Sequence, residues 1–315
     1  MRALRFHDWN QAPQLDEVPD PVVGEGEVLV RVQAAGLSHL DLTVATGKFG
    51  FRPQVPYVPG VEGSGVVVSG DGLPPGTQVV LRGGALGLRR DGTWAEYIAA
   101  PAKAVTALTV PLKPAVAATF FQPTSTAAIA LRDIGRVKAG EHVVVVGATG
   151  AVGGQLVQQA LLAGAGVTGV VARAEHLARV HPGAEGVVSN DEAAVAQLAE
   201  KRSATLLVDT IGGARLPERI RWVASGGRAV LIGYVAGTSF EVDLPSWLLE
   251  DVALLPMNMI HRERRARELS GELAAKLDSG ELSLPVEAVG PEGVAAALER
   301  LVAGDVVGRA ALLWK

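Results

Sequence analysis

The chain has 315 residues, 48% of them hydrophobic and 20% charged, with a formal net charge of −4 and no cysteine. That length fits two domains, and the composition is that of a globular chain, not a disordered one. The slight acidity gives no electrostatic reason for a nucleic-acid or anionic-membrane partner, and the lack of cysteine excludes disulfides, thiol catalysis and every cysteine-ligated zinc site. No apolar run reaches the length of a membrane span and the first residues carry no signal-type apolar stretch, so no membrane partner and a cytoplasmic location are expected.

Taken in order, residues 1–110 read as short strands separated by turns. Residues 27–35 alternate into a strand behind turn material at Pro19, Pro21, Gly24 and Gly26. Residues 60–68 form another, whose glycines permit close backbone approach, and 76–81 and 94–99 read as two more. Strands at this spacing predict a compact β-barrel or folded sheet. The stretch 110–114 holds Pro111 and Pro114 and leads into an apolar helix over 115–131, and the change of period puts a domain boundary there.

From 142 to 259 strands and helices alternate. Strands are expected at 142–147, 166–172, 186–189, 204–209, 227–233 and 252–259. Helices are expected around 150–163, 175–181, 191–201, 214–224 and 244–250. This order predicts an α/β doubly wound parallel sheet with right-handed crossovers. The tail carries helices to about 279 and over 293–303, then a strand at 309–314 that should return to the first domain.

The centre of this pattern is VVVVGATGAVGG at 143–154. Four consecutive valines suit a strand buried on both faces, and Gly147, Gly150 and Gly153 follow at intervals of three, ahead of an apolar helix. Strand, glycine turn and helix together mark a dinucleotide site: a missing Cβ lets backbone approach a pyrophosphate, and a helix N-terminus offers free N–H groups. Ala148 stands where the first glycine of G-x-G-x-x-G would be. The cofactor-binding stretch is therefore Gly147, Ala148, Thr149, Gly150, Ala151 and Val152. At the end of the next strand, Ala172 occupies the place where an acid would bind a ribose hydroxyl, and Arg173 follows. A cation there suits a 2′-phosphate, so NADPH is the expected cofactor.

Together with AAGLSHLD (34–41), VPGVEGSGVV (58–67), VKAGEHVVVVG (137–147), DTIGG (209–213) and GGRAVLIG (226–233), this layout resembles the medium-chain dehydrogenase/reductase superfamily, and within it the zinc-free quinone oxidoreductase branch. The resemblance implies a GroES-like β-barrel catalytic domain of residues 1–114 and 262–315, a Rossmann domain of 115–261, and substrate in the cleft between them. It puts Ser38 and Val61 at the positions of two zinc ligands. Serine is a poor ligand and valine none, so no metal is expected. His39 and Glu62 nearby lack a third partner.

The resemblance also implies that Thr126, Val152 and the backbone of Gly233, Tyr234 and Val235 surround the nicotinamide. Ser38, Asp41 and Phe49 would line the substrate site, Ser38 where relatives carry Asn and Phe49 near where they carry Tyr. Asp41 has a structural alternative, in which it fixes its loop by accepting backbone N–H bonds. Tyr57, in a Pro-flanked stretch, reads as a structural turn. Without a metal Lewis acid, conjugate reduction of a quinone or an α,β-unsaturated carbonyl asks least of the protein. The alternatives are an enoyl-thioester reductase, for which Lys48 and Arg52 offer a sparse cationic groove, and a non-catalytic NADPH-binding sensor or structural protein. A homodimer pairing residues 252–259 across a two-fold axis is also implied.

Overall fold

The computed structural model describes residues 1–47, 49, 50, 52–70 and 72–314. In chain order its strands are β1 Arg2–Arg5, β2 Gln14–Glu17, β3 Glu27–Leu37, β4 Glu62–Gly70, β5 Gln78–Arg82, β6 Tyr97–Pro101, β7 Val105–Ala107, β8 His142–Val146, β9 Gly166–Val171, β10 Glu185–Val188, β11 Ala204–Asp209, β12 Val223–Leu231, β13 Ala253–Pro256, β14 Val286–Val289 and β15 Arg309–Leu313. The α-helices are α1 His39–Ala45, α2 Pro114–Thr119, α3 Phe121–Ala128, α4 Ala151–Leu162, α5 Glu192–Lys201, α6 Leu216–Ile220, α7 Leu244–Glu250, α8 Glu263–Asp278 and α9 Val294–Ala303.

Two compact units result: Met1–Phe121 with Ala274–Lys315, and Gln122–Leu273. Set against the sequence reading, these units end after 121 and 273 instead of after 114 and 261. The physical reason is α2, which packs on β3, β4 and β15. Its Ala117, with Phe120, shares a core with Leu112, Ala274 and Leu284.

The first unit is organised on β3. Its Val28, Val30 and Val32 alternate into the core with Leu4, Phe6, Leu81, Trp94 and Ile98. One edge of β3 pairs with β4; the other is shared, Glu27–Arg31 bonding β6 and Ala34–Leu37 bonding β15. The C-terminal strand thus returns to this unit. Gly65 permits the closest β3–β4 approach, since a Cβ there would lie 2.2 Å from the Arg31 carbonyl oxygen. The strand expected over 94–99 begins later, at Tyr97. Trp94 is instead a core plug, fully buried, whose indole N–H donates to the Gly36 carbonyl at 2.9 Å.

The second unit is a six-stranded parallel sheet in the order β10-β9-β8-β11-β12-β13. Val143, Val144, Val145 and Val146 are all buried, as a central strand covered on both faces requires. The strand order reverses between β8 and β11, where an open α/β sheet leaves a crevice at its carboxyl edge. The single helix expected over 115–131 is in fact α2, α3 and a π-helical stretch Ile129–Ile134. Pro123 explains the break: it lacks an N–H, and its ring would clash with the carbonyl of residue 119 in a continuous helix.

Candidate functional site

In the second unit the site is made mainly of missing atoms. β8 ends at Val146, and Gly147 turns with φ +77, its N–H donating to the Val170 carbonyl at 2.9 Å. A Cβ on Gly147 would lie 2.4 Å from Thr210 Oγ1, and one on Gly153 only 1.9 Å from the Gly147 carbonyl oxygen. Only glycine lets α4 start so close to its strand. Gly150 is the N-cap of α4 and supplies no side-chain bond to the first turn. The N–H groups of Ala151, Val152 and Gly153 are therefore open to an anion at the positive end of a helix 12 residues long. Thr149 and Val152 are half-buried beside them. Ala148 fits where the glycine pattern fails because Gly169 faces it: a Cβ on Gly169 would lie 2.9 Å from that of Ala148.

Arg173 stands two residues past β9 and is exposed at the carboxyl edge of the sheet, with Glu175 Oε1 3.4 Å from its Nε. Thr126 is buried in α3 and accepts a bond from Gln122 at 3.3 Å. Gln159 of α4 donates to the Thr124 carbonyl at 3.0 Å, which ties α3 to the glycine-turn helix. Past β12, Gly233 lies against Thr210, its hypothetical Cβ 2.0 Å from that carbonyl oxygen, and Tyr234 and Val235 are exposed.

Thr210 is thus the piece the sequence reading missed. It touches both Gly147 and Gly233, and its hydroxyl donates to the Val146 carbonyl at 2.7 Å. The turn after it is set by buried Asp209, which accepts from the N–H groups of Ile211 at 2.9 Å and Gly212 at 2.8 Å and from Arg219 at 2.6 Å. Beside this turn lies a cavity of about 260 Å³ walled by Val146, Ser189, Ile211, Arg215 and Trp222. The DTIGG stretch was the signal that could have led to it.

In the first unit the site is made of side chains. Ser38 is the N-cap of α1, and its N–H and hydroxyl donate to one Asp41 oxygen at 2.9 and 2.5 Å. The other Asp41 oxygen accepts from the N–H groups of Gly60 at 3.1 Å and Val61 at 3.3 Å. Asp41 therefore binds its own helix cap to the start of the β4 region. Burial pushes its carboxyl above the usual range, against the pull of its Ser38 and Gly60 donors and the charge of Arg309. Glu62, buried, pairs with Arg309 from β15 and lies 3.9 Å from Arg82 of β5. Burial brings the Arg309 guanidinium down to about 10 although the Asp41 charge opposes this. Burial and then the Arg309 charge lower the His39 imidazole.

Phe49 is half-buried and packs on the barrel core. Tyr57 is buried against Phe6 and Trp9 and exchanges backbone bonds with Phe6. Burial, then the charge of Asp41, raises its phenol. Lys48 lies outside the described residues. Among the described residues no group of three or more His, Cys, Asp or Glu side chains is placed to hold a metal ion.

A family model described as "Alcohol dehydrogenase GroES-like domain" matches residues 24–111. The chain is 28% identical over 306 residues to the prostaglandin reductase-3 of Bos taurus, covering 90% of this chain and 80% of that protein. It is 29% identical over 301 residues to the acryloyl-coenzyme A reductase of Metallosphaera sedula, covering 87% and 88%. A mycobacterial protein solved in complex with NADPH shares the fold, with a TM-score of 0.82 at 24% identity and all of both chains covered (100% and 100%). With a GroES-like unit built around β3 and a doubly wound nucleotide-type sheet opening on a glycine turn, the chain is similar in fold and along most of its length to medium-chain dehydrogenase/reductase proteins.

Proposed function

We propose that the chain is a zinc-independent, NADPH-dependent oxidoreductase that passes hydride to a quinone or an α,β-unsaturated carbonyl compound. The observation that carries this reading is the uncapped start of α4 beside Gly147 and Gly153, with Arg173 at the end of β9. Bound NADPH supplies the hydride. The N–H groups of Ala151 and Val152 would hold the pyrophosphate, and Arg173 would give up part of its pairing with Glu175 to hold the 2′-phosphate. Thr126, Val152 and the backbone at Gly233, Tyr234 and Val235 would orient the nicotinamide.

On the substrate side, the Ser38 hydroxyl has one proton, and it is committed to Asp41 at 2.5 Å. While Asp41 is ionised, Ser38 therefore has no proton to give a substrate, and its oxygen also accepts the Asp41 N–H at 3.4 Å. The charge that grows on a reduced enone is spread over an enolate oxygen, which water can protonate, so a strong acid is not needed. Phe49 in place of a phenol makes that face apolar. Ser38 in place of a cysteine and Val61 in place of a histidine give a donor set unfit for zinc.

Steady-state turnover on a panel of small quinones and enones with NADPH tests the reading. Oxidation of NADPH by at least one class is expected. NADPH binding without any turnover would favour the sensor reading instead. The 29% identity to an acryloyl-coenzyme A reductase supports a second reading, reduction of an enoyl thioester, which crotonyl-coenzyme A in the same panel separates.

A homodimer is part of the proposal. The parallel sheet ends on β13, which pairs only with β12 among the described strands, and α7 next to it exposes Leu248 at 70% and Leu249 at 84%. Among the described residues no helix is long and apolar enough to cross a membrane. Sedimentation should give twice the chain mass, and Leu249→Arg should shift it to the monomer. A wild-type monomer at micromolar concentration would refute the pairing.

A further inference from the structure

The helix that carries Ser38 and Asp41 at its start also borders a cavity that it shares with α9. Leu42 and Ala45 of α1 face Ala295, Leu298 and Glu299 of α9, at helical spacings on both sides. Between them lies a cavity of about 360 Å³. Its origin is plain: Ala12, Ala45 and Ala295 stand on its wall, and methyl side chains cannot fill the seam between two helices and a loop. The volume falls within the roughly 300–1,000 Å³ typical of small-molecule sites, and most of the wall is apolar.

Among the described residues on that wall Glu299 carries the one charge, and its neighbours there are uncharged. A lone carboxylate at the rim of an apolar cavity attracts a cation and repels an anion. We infer that this cavity is a binding site for an amphipathic cation, with an apolar body of one or two rings between α1 and α9 and an ammonium group on Glu299. Fatty-acid-like anions are disfavoured by the same charge. Binding there bears on the helix whose N-cap is Ser38.

Calorimetric titration of the full chain with 2-naphthylmethylammonium, and separately with 2-naphthoate, tests the inference. One saturable site is expected, with the ammonium compound bound about tenfold more tightly than the carboxylate. Glu299→Gln should reduce that preference to about threefold or less. Ala295→Trp, which fills the cavity, should weaken the ammonium compound by about tenfold or more. Should Ala295→Trp fail to fold, Ala12→Leu fills the same space from an exposed loop. No saturable binding, equal binding of both probes, or undiminished binding to the filled variant would overturn the inference.

Discussion

The two units hold their candidate sites by opposite means. In the parallel-sheet unit the glycine turn works through absent atoms: Gly147 and Gly153 leave space, and Gly150 leaves N–H groups uncapped. In the barrel unit the Ser38 region works through present ones: a carboxylate with bonds from Ser38, Gly60 and Val61, and a buried Glu62 paired with Arg309. The lesson concerns distance along the chain. Gly147 and Gly153 are six residues apart, whereas Glu62 and Arg309 are 247 residues apart.

The largest expected effect strikes the second kind of site. Arg309→Met leaves Glu62 buried with, among the described residues, only the Arg82 cation at 3.9 Å. Removing one partner of such a pair should cost about 3–5 kcal/mol. Urea unfolding measures it, and a loss under about 1 kcal/mol would show that the pair is not a structural tie. Next comes the first kind. Gly153→Ala puts a Cβ 1.9 Å from the Gly147 carbonyl oxygen, so α4 must move off β8. A cost of about 2–3 kcal/mol is expected, with NADPH affinity reduced about tenfold. Unchanged affinity would mean that the turn does not hold the pyrophosphate.

The smallest effect is one of pH, inside the parallel-sheet unit. Arg228 binds both oxygens of Glu141 at 2.9 Å, and with this pairing the Glu141 carboxyl is lowered to about 2. A folded value below the unfolded one means the stabilisation is complete above about pH 4.5 and fades as the pH falls toward 2. Solvent reaches this pair, so about 1 kcal/mol is expected. Unfolding of the wild type and Glu141→Gln at pH 6 and pH 3 checks it: the wild-type advantage should shrink at pH 3. An advantage that grows with acid would refute the assignment.

These differences also explain what could be read in advance. The doubly wound order and the glycine turn were legible because strand burial, helix spacing and glycine intervals are local signals. The bounds of β11 and α7 followed from the same signals. α1 was missed because it is short and starts on a capping box whose Ser38–Asp41 spacing is readable but whose hydrophobic period is not. β1, β2 and β14 were missed because strands of four residues carry little alternation. Ser38 and Asp41 were singled out, but the bonds from Gly60 and Val61 that fix Asp41 depend on tertiary pairing. Thr210 was overlooked because its role is contact with two glycines from distant turns, and a threonine after a strand is otherwise unremarked.

The central claim is that a 2′-phosphorylated nicotinamide nucleotide lies on the α4 N-terminus with Arg173 at its phosphate. Calorimetric titration of the wild type and Arg173→Ala with NADPH and NADH tests it most directly. The account predicts that the wild type binds NADPH at least about tenfold more tightly than NADH and that Arg173→Ala erases most of that difference, leaving NADH affinity nearly unchanged. Equal affinity of the wild type for both nucleotides, or binding of neither, would contradict it.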